Sequence, residues 1–142
     1  MKISPADKIF VDTSALIALV MAKDVFHIQA SAVMGELENG GNQLVTTEFV
    51  LVEFANSLSK VRLRHKPALM LDKWTSLSTF QVIWSSRQLF DKAFDFFRER
   101  PDKDWSLTDC ASFVVMKDHQ IDLAFTSDKH FEQAGFKKLL GD

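Results

Sequence analysis

Short apolar runs alternate with longer stretches of helical periodicity along the chain, and this alternation constrains the fold more than any other feature. The apolar runs fall at residues 8–12, 43–46, 80–84 and 122–126, with a last short one at 136–140. Between them the pattern predicts helices at about 13–20, 25–38, 47–64, 67–78, 87–99 and 106–119, and a short one after residue 127. Gly40-Gly41 ends the second helix, because glycine tolerates the left-handed conformation past a helix end. Pro67 fits a first helical turn. Leu89, Phe90, Ala93, Phe94 and Phe97 are spaced along one face of their helix. Strands alternating with helices imply a parallel sheet covered on both faces. A chain of 142 residues fits one domain, spanning 1–142, and its 46% of hydrophobic residues supply a core.

The first strand adds a chemical constraint. Ile9-Phe10-Val11 runs into Asp12, and Thr13, Ser14 and an apolar helical pattern follow. A carboxylate therefore sits where a strand ends and a helix begins, at the sheet edge where open α/β folds bind ligands. Taken alone, Asp12 reads equally as a metal ligand or as a mere solvated turn residue or helix cap, and Thr13 or Ser14 can also cap. Glu53 is an acid embedded in Phe49-Val50-Leu51-Val52 and Phe54-Ala55. A buried carboxylate is costly unless paired or metal-bound. Asn56 lies one turn on and Lys60 two turns on, so an ion pair with Lys60 is the structural alternative.

Asp109 falls in the first turn of its helix, and with Ser106 as N-cap it resembles a capping box. Asp128 follows the fourth strand as Asp12 follows the first, and it too can cap the helix after it. Asp104, in the charged loop Asp102-Lys103-Asp104, is a fifth candidate as an outer ligand. Two acids past strand ends and two on helices can converge at one edge of a parallel sheet. Such a cluster repels itself without cations, and oxygen ligands suit Mg²⁺ or Mn²⁺ rather than zinc.

Other chemistries lack their signatures. His27, His65, His119 and His130 show no zinc spacing. The chain has no Walker or Rossmann glycine loop and no Gly-x-Ser-x-Gly elbow. Cys110, the one cysteine, rules out an internal disulfide and reads as a buried structural thiol. No run approaches the roughly 18 apolar residues of a membrane span, and residues 1–7 lack the apolar stretch of a secretory signal. The expectation is a cytoplasmic protein without a membrane partner. A net charge of -2 argues against a surface that attracts nucleic acid everywhere, but not against a nuclease whose bases cluster. Lys60-Val61-Arg62-Leu63-Arg64-His65-Lys66 is the densest basic run. It reads as phosphate contacts through Lys60, Arg62 and Arg64, or as a solvated helix end.

The order and context of these residues resemble the PIN-domain family of metal-dependent nucleases, and most of all its small prokaryotic VapC-like members. Val11-Asp12-Thr13-Ser14-Ala15 looks like the family's opening signature, and Glu53 with Asn56 downstream matches its second acid. Trp105-Ser106-Leu107-Thr108-Asp109-Cys110-Ala111 matches the segment with the third acid, and Thr126-Ser127-Asp128-Lys129-His130-Phe131 the fourth. The resemblance implies a three-layer α/β/α sandwich with a mainly parallel sheet, Mg²⁺ or Mn²⁺ at the acids, and cleavage of single-stranded or structured RNA. It also implies a homodimer and, for the toxins, a cognate antitoxin.

On this reading Asp12, Glu53 and Asp109 hold one cation, and Asp128 completes the site or helps bind a second. Ser14, Asn56 and Thr126 stand behind the ligands, with Asn56 placed to orient Glu53. Trp105 offers a stacking surface for a base or a core side chain. Two rivals remain open. One is a PIN-like module that binds RNA or protein without cutting. The other is an aspartate-based phosphoryl-transfer domain, although the phosphatase pattern wants an acid two residues after the first, where Ser14 stands.

Overall fold

A computed structural model describes residues 2–141. Its elements run β1 (Ile9–Val11), α1 (Thr13–Val20), α2 (His27–Gly40), β2 (Leu44–Thr47), α3 (Glu48–Ser57), α4 (His65–Thr75), β3 (Phe80–Ile83), α5 (Arg87–Glu99), α6 (Leu107–Asp118), β4 (Leu123–Phe125), α7 (Lys129–Gln133) and β5 (Lys137–Lys138). The strands form one sheet in the order β3-β2-β1-β4-β5, and every neighbouring pair is parallel. Right-handed crossovers put the helices of the β1–β2 and β2–β3 connections on one face. Those of the β3–β4 and β4–β5 connections cover the other, which gives the α/β/α sandwich. Strands covered on both sides need no polar face, and Ile9, Phe10 and Val11 are all buried.

The connections leave β1 toward β2 but reach β4 on its other side. The switch in direction therefore lies between β1 and β4, the crevice where such sheets take ligands. Register holds across it: Val11 pairs with Phe125, and the Asp12 N–H donates to the Phe125 carbonyl at 3.1 Å. Asp12 is thereby set beside Thr126.

Local chemistry explains most element ends. Thr47 Oγ1 accepts the Val50 N–H and Ser86 Oγ that of Leu89, so a hydroxyl caps both α3 and α5. Gly41 takes a φ of 65° after α2, the left-handed geometry that its glycine supplies. Phe113 on α6 packs edge-on against Trp105 and Phe131, and Phe131 also meets Phe10 of β1. This aromatic cluster fixes α6 and α7 to the sheet. Among the described residues no helix is long and apolar enough to cross a membrane.

Three sequence expectations are corrected. The single helix expected at 47–64 ends at Ser57. The Ser57 hydroxyl bonds back to the Glu53 carbonyl and that of Ser59 to Asn56, a local competition with helix continuation. Buried Leu58 then turns the chain. The basic run 60–66 consequently lies in a turn and the start of α4, not at a helix C-terminus, so the favourable dipole reading does not apply. On α5 the apolar residues do not share one buried face: Leu89 and Ala93 are buried, while Phe90, Phe94 and Phe97 are about 40% exposed (40%, 37% and 43%) and stack along the outside.

Candidate active site

Asp12 occupies the N-cap position of α1, yet its side chain caps nothing. Its Oδ2 instead accepts the Thr126 hydroxyl at 2.8 Å and the Ser14 hydroxyl at 3.3 Å. Thr126 Oγ1 in turn accepts the Asp128 N–H at 3.0 Å, and Ser14 Oγ accepts the Ser127 N–H at 3.1 Å. Two hydroxyls thus lace the end of β1 to the turn after β4. Thr13 and Ser14, which read as possible caps, are committed to acids: Ser14 to Asp12 and Thr13 to Glu53, whose Oε1 accepts the Thr13 hydroxyl. Burial pushes the Asp12 carboxyl up to about 7; the Thr126 hydroxyl opposes this, and the charges of Asp109 and Asp128 add to it.

Asp109 sits in a complete capping box. Its N–H donates to Ser106 Oγ at 2.9 Å, and its Oδ2 accepts the Ser106 N–H at 3.1 Å. Burial raises its carboxyl as well, against the Ser106 bond, and neighbouring Asp128 contributes. Asp128 caps α7 by accepting the His130 N–H at 2.9 Å. Capping engages one oxygen in each of these two residues. Asp109 Oδ1 and Asp128 Oδ2 make no hydrogen bond among the described residues.

The side chain that sequence reasoning missed is His130. Its Nδ1 lies 3.0 Å from Asp109 Oδ2 and 3.4 Å from Asp128 Oδ1. Asp109, Asp128 and His130 offer ligand atoms that all lie within 4.8 Å of one another. The available signal was its place two residues after an acid at a strand end; judging histidines by zinc spacing alone passed it over.

Glu53 borders the site from α3. It lines a groove of about 590 Å³ with Glu48, Phe49, Val52, Asn56, Ser85 and Thr108. Asn56 is exposed there and makes no hydrogen bond to Glu53 among the described residues; Thr13 supplies that contact. Lys60 forms no salt bridge with Glu53, so the ion-pair alternative fails among the described residues. Asp104 is exposed in its loop, outside the group formed by Asp109, Asp128 and His130. Trp105 is buried, with its Nε1–H on Gln133 Oε1 at 3.0 Å, which leaves no face free to stack a base. Cys110 is buried and its thiol pushed up to about 11 by that burial, so it is a poor nucleophile. Lys60, Arg62 and Arg64 are exposed and make no salt bridge among the described residues.

The donor set suits a hard divalent cation. The charges of Asp109 and Asp128 add to the raised proton affinity of Asp12, that of Asp128 adds to Asp109, and no lysine or arginine among the described residues bridges to any of the three. Asp109 Oδ1 and Asp128 Oδ2 are engaged by no protein donor among the described residues. Clustered carboxylate oxygens of this kind are what Mg²⁺ and Mn²⁺ accept.

A family model described as PIN domain matches residues 9–137. The fold is similar to VapC20 of Mycobacterium tuberculosis, described as a sarcin–ricin loop cleaving toxin, with a TM-score of 0.80 and 26% identity over 90% of this chain and 95% of that one. It is also similar to VapBC2 of Rickettsia felis, solved with a DNA fragment from its promoter, with a TM-score of 0.64 and 13% identity over 92% of this chain and 96% of that one. A third similar structure is FitAcB of Neisseria gonorrhoeae, with a TM-score of 0.63 and 13% identity over 92% of this chain and 95% of that one. A search of curated proteins finds no match.

Proposed function

The chain belongs to the PIN-domain family, and from that premise we propose that it is a Mg²⁺- or Mn²⁺-dependent endoribonuclease, acting as the toxin of a toxin–antitoxin pair. One observation carries the reading: Asp109 and Asp128 offer ligand atoms within 4.8 Å of each other, Asp12 at the end of β1 lies near enough to feel both charges, and no lysine or arginine among the described residues pairs with any of the three. Residues 1–142 act as one nuclease domain in the cytoplasm. Asp12, Glu53, Asp109 and Asp128 are the catalytic acids.

When bound, a divalent cation would supply Lewis-acid chemistry, neutralising charge on the attacked phosphate and acidifying water. The chain's own residues hold the acids in place for it. Thr126 and Ser14 fix the Asp12 carboxylate, Ser106 fixes Asp109, and Thr13 fixes Glu53. The groove beside Glu53 gives an RNA strand a path to the acids. Exposed Lys60, Arg62 and Arg64, in the turn beyond α3, supply phosphate contacts that hold RNA without reading its sequence.

Likeness to VapC20 supports structured RNA, such as the sarcin–ricin loop that protein is named for, as a substrate to try beside single strands. Likeness to VapBC2 supports a cognate antitoxin. The strongly exposed Val25, in the turn before α2, and Ile28, in its first turn, offer apolar surface for a homodimer or that partner.

Purified protein should cleave single-stranded RNA with Mg²⁺ or Mn²⁺ and stop with EDTA. Asp12→Asn and Asp109→Asn should each abolish cleavage while circular dichroism stays unchanged. Activity that survives both substitutions would sink the assignment.

A further inference from the structure

We propose that His130 is a positioning residue, whose imidazole holds the Asp109 and Asp128 carboxylates in register for the divalent cation. This rests on reading the acids as a metal site.

The two acids reach the site from different parts of the chain, Asp109 on the first turn of α6 and Asp128 on the turn after β4. Nothing in either element alone sets the distance between them. His130 touches both. Its ring Nδ1 faces Asp109 Oδ2 at 3.0 Å and Asp128 Oδ1 at 3.4 Å, and its backbone N–H donates to that same Asp128 oxygen at 2.9 Å.

The ring has little freedom to leave. The next residue, Phe131, is fully buried and packs edge-on against Phe113 of α6 at 5.0 Å and tilted against Phe10 of β1 at 6.2 Å. The aromatic core thus anchors α7 at the residue beside the histidine. The imidazole itself is about one-fifth exposed (20%).

The choice of oxygens gives the contact its direction. Ser106 and His130 both act on Asp109 Oδ2, and both His130 contacts to Asp128 fall on Oδ1. The other oxygen of each acid is left without a protein donor among the described residues. A group that supports a ligand behaves in this way: it engages the rear oxygen and turns the front one toward the ion. Without the ring, Asp109 loses a side-chain hydrogen-bond partner and the two carboxylates lose the group that sits between them, leaving each held by one backbone N–H.

The test is Mn²⁺ uptake by the full chain, followed by calorimetry and by pulsed electron paramagnetic resonance, for the wild type, His130→Phe and His130→Asn. Asn carries an amide N–H close to where Nδ1 sits. His130→Phe should weaken Mn²⁺ binding about 10–100-fold, and His130→Asn should restore most of the loss. For RNA cleavage, kcat should fall in His130→Phe with KM unchanged. Bound Mn²⁺ should show no nitrogen coupling that depends on His130. If His130→Phe does not fold, His130→Ala takes its place. Equal Mn²⁺ affinity in the wild type and the Phe or Ala variant would overturn the proposal, as would an Asn variant no better than Phe. A nitrogen coupling lost in His130→Asn would make the ring a ligand rather than a support. A wild type that takes up no Mn²⁺ would remove the metal reading itself, and this inference with it.

Discussion

Asp12, at the end of β1, is buried and held by two hydroxyls, whereas Glu53, on α3, is only half-buried, takes one hydroxyl from Thr13, and opens onto a groove. The Asp12 side of the cluster belongs to the sheet: its position follows from strand register and from the lacing to Thr126 and Ser127. The Glu53 side belongs to a helix that stops one turn later, at Ser57. The difference teaches where rigidity and access are divided. Burial disfavours the ionised Asp12 carboxyl at the sheet edge, while half-buried Glu53 faces a groove open to substrate.

The largest effect expected from this contrast is on cleavage and stability together. Asp12→Asn and Glu53→Gln should each lower RNA cleavage by at least about a hundredfold, as loss of a ligand should exceed loss of a supporting partner. Their stabilities should then diverge. Asp12→Asn removes a carboxylate whose ionised form is disfavoured by burial, so the metal-free variant should gain roughly 2–4 kcal/mol near neutral pH. Glu53→Gln should stay within about 1 kcal/mol of the wild type. Chemical denaturation in EDTA measures both, and equal shifts would erase the distinction.

The same burial predicts a pH dependence. Because the folded pKa of Asp12 is raised from 3.8 to about 7, the folded protein binds more protons than the unfolded chain between those values. Metal-free stability should therefore fall as pH rises from about 4 to about 7. Asp109, raised in the same direction, adds to the slope. Asp12→Asn should flatten most of it, and saturating Mn²⁺ should offset the loss by binding the folded state. A metal-free stability that rises through this window would contradict the burial account.

Smaller effects should separate the two supporting hydroxyls. Thr126→Val removes a donor to Asp12 and an acceptor for the Asp128 N–H, at a fully buried position. It should cost about 1–3 kcal/mol of stability and about 10–100-fold in activity. Thr13→Val, which touches only the groove-side acid, should cost less on both measures. Smallest of all, replacing Lys60, Arg62 and Arg64 with Ala should weaken RNA binding uniformly across sequences, lowering the salt slope by about 0.7 per lost contact. A sequence-selective loss would mean that these side chains read bases.

Much of this arrangement is legible without coordinates. Asp12 could be placed at a strand end because Ile9-Phe10-Val11 is a short run of β-branched and aromatic residues bounded by Lys8 and Asp12, which reads as a buried strand. The bounds of α5 and the Ser106–Asp109 capping box are written in local side-chain chemistry and appear as expected. The end of α3 was not legible, because Ser57 and Ser59 turn the chain through weak local bonds that helical periodicity overrides on paper. Nor was the outward face of α5, since spacing shows which residues share a helix face but not whether the face meets a core.

The sequence by itself determined the alternating α/β class and set Asp12 and Asp128 just past strand ends, because period, capping and strand-end position are local properties. Only the tertiary structure decided that β1 lies between β2 and β4, which brings Thr126 to Asp12 from 114 residues away. It alone set His130 between Asp109 and Asp128 and handed Glu53 to Thr13 rather than Asn56 or Lys60. Those pairings depend on strand order and helix packing, distances between elements that no local pattern encodes.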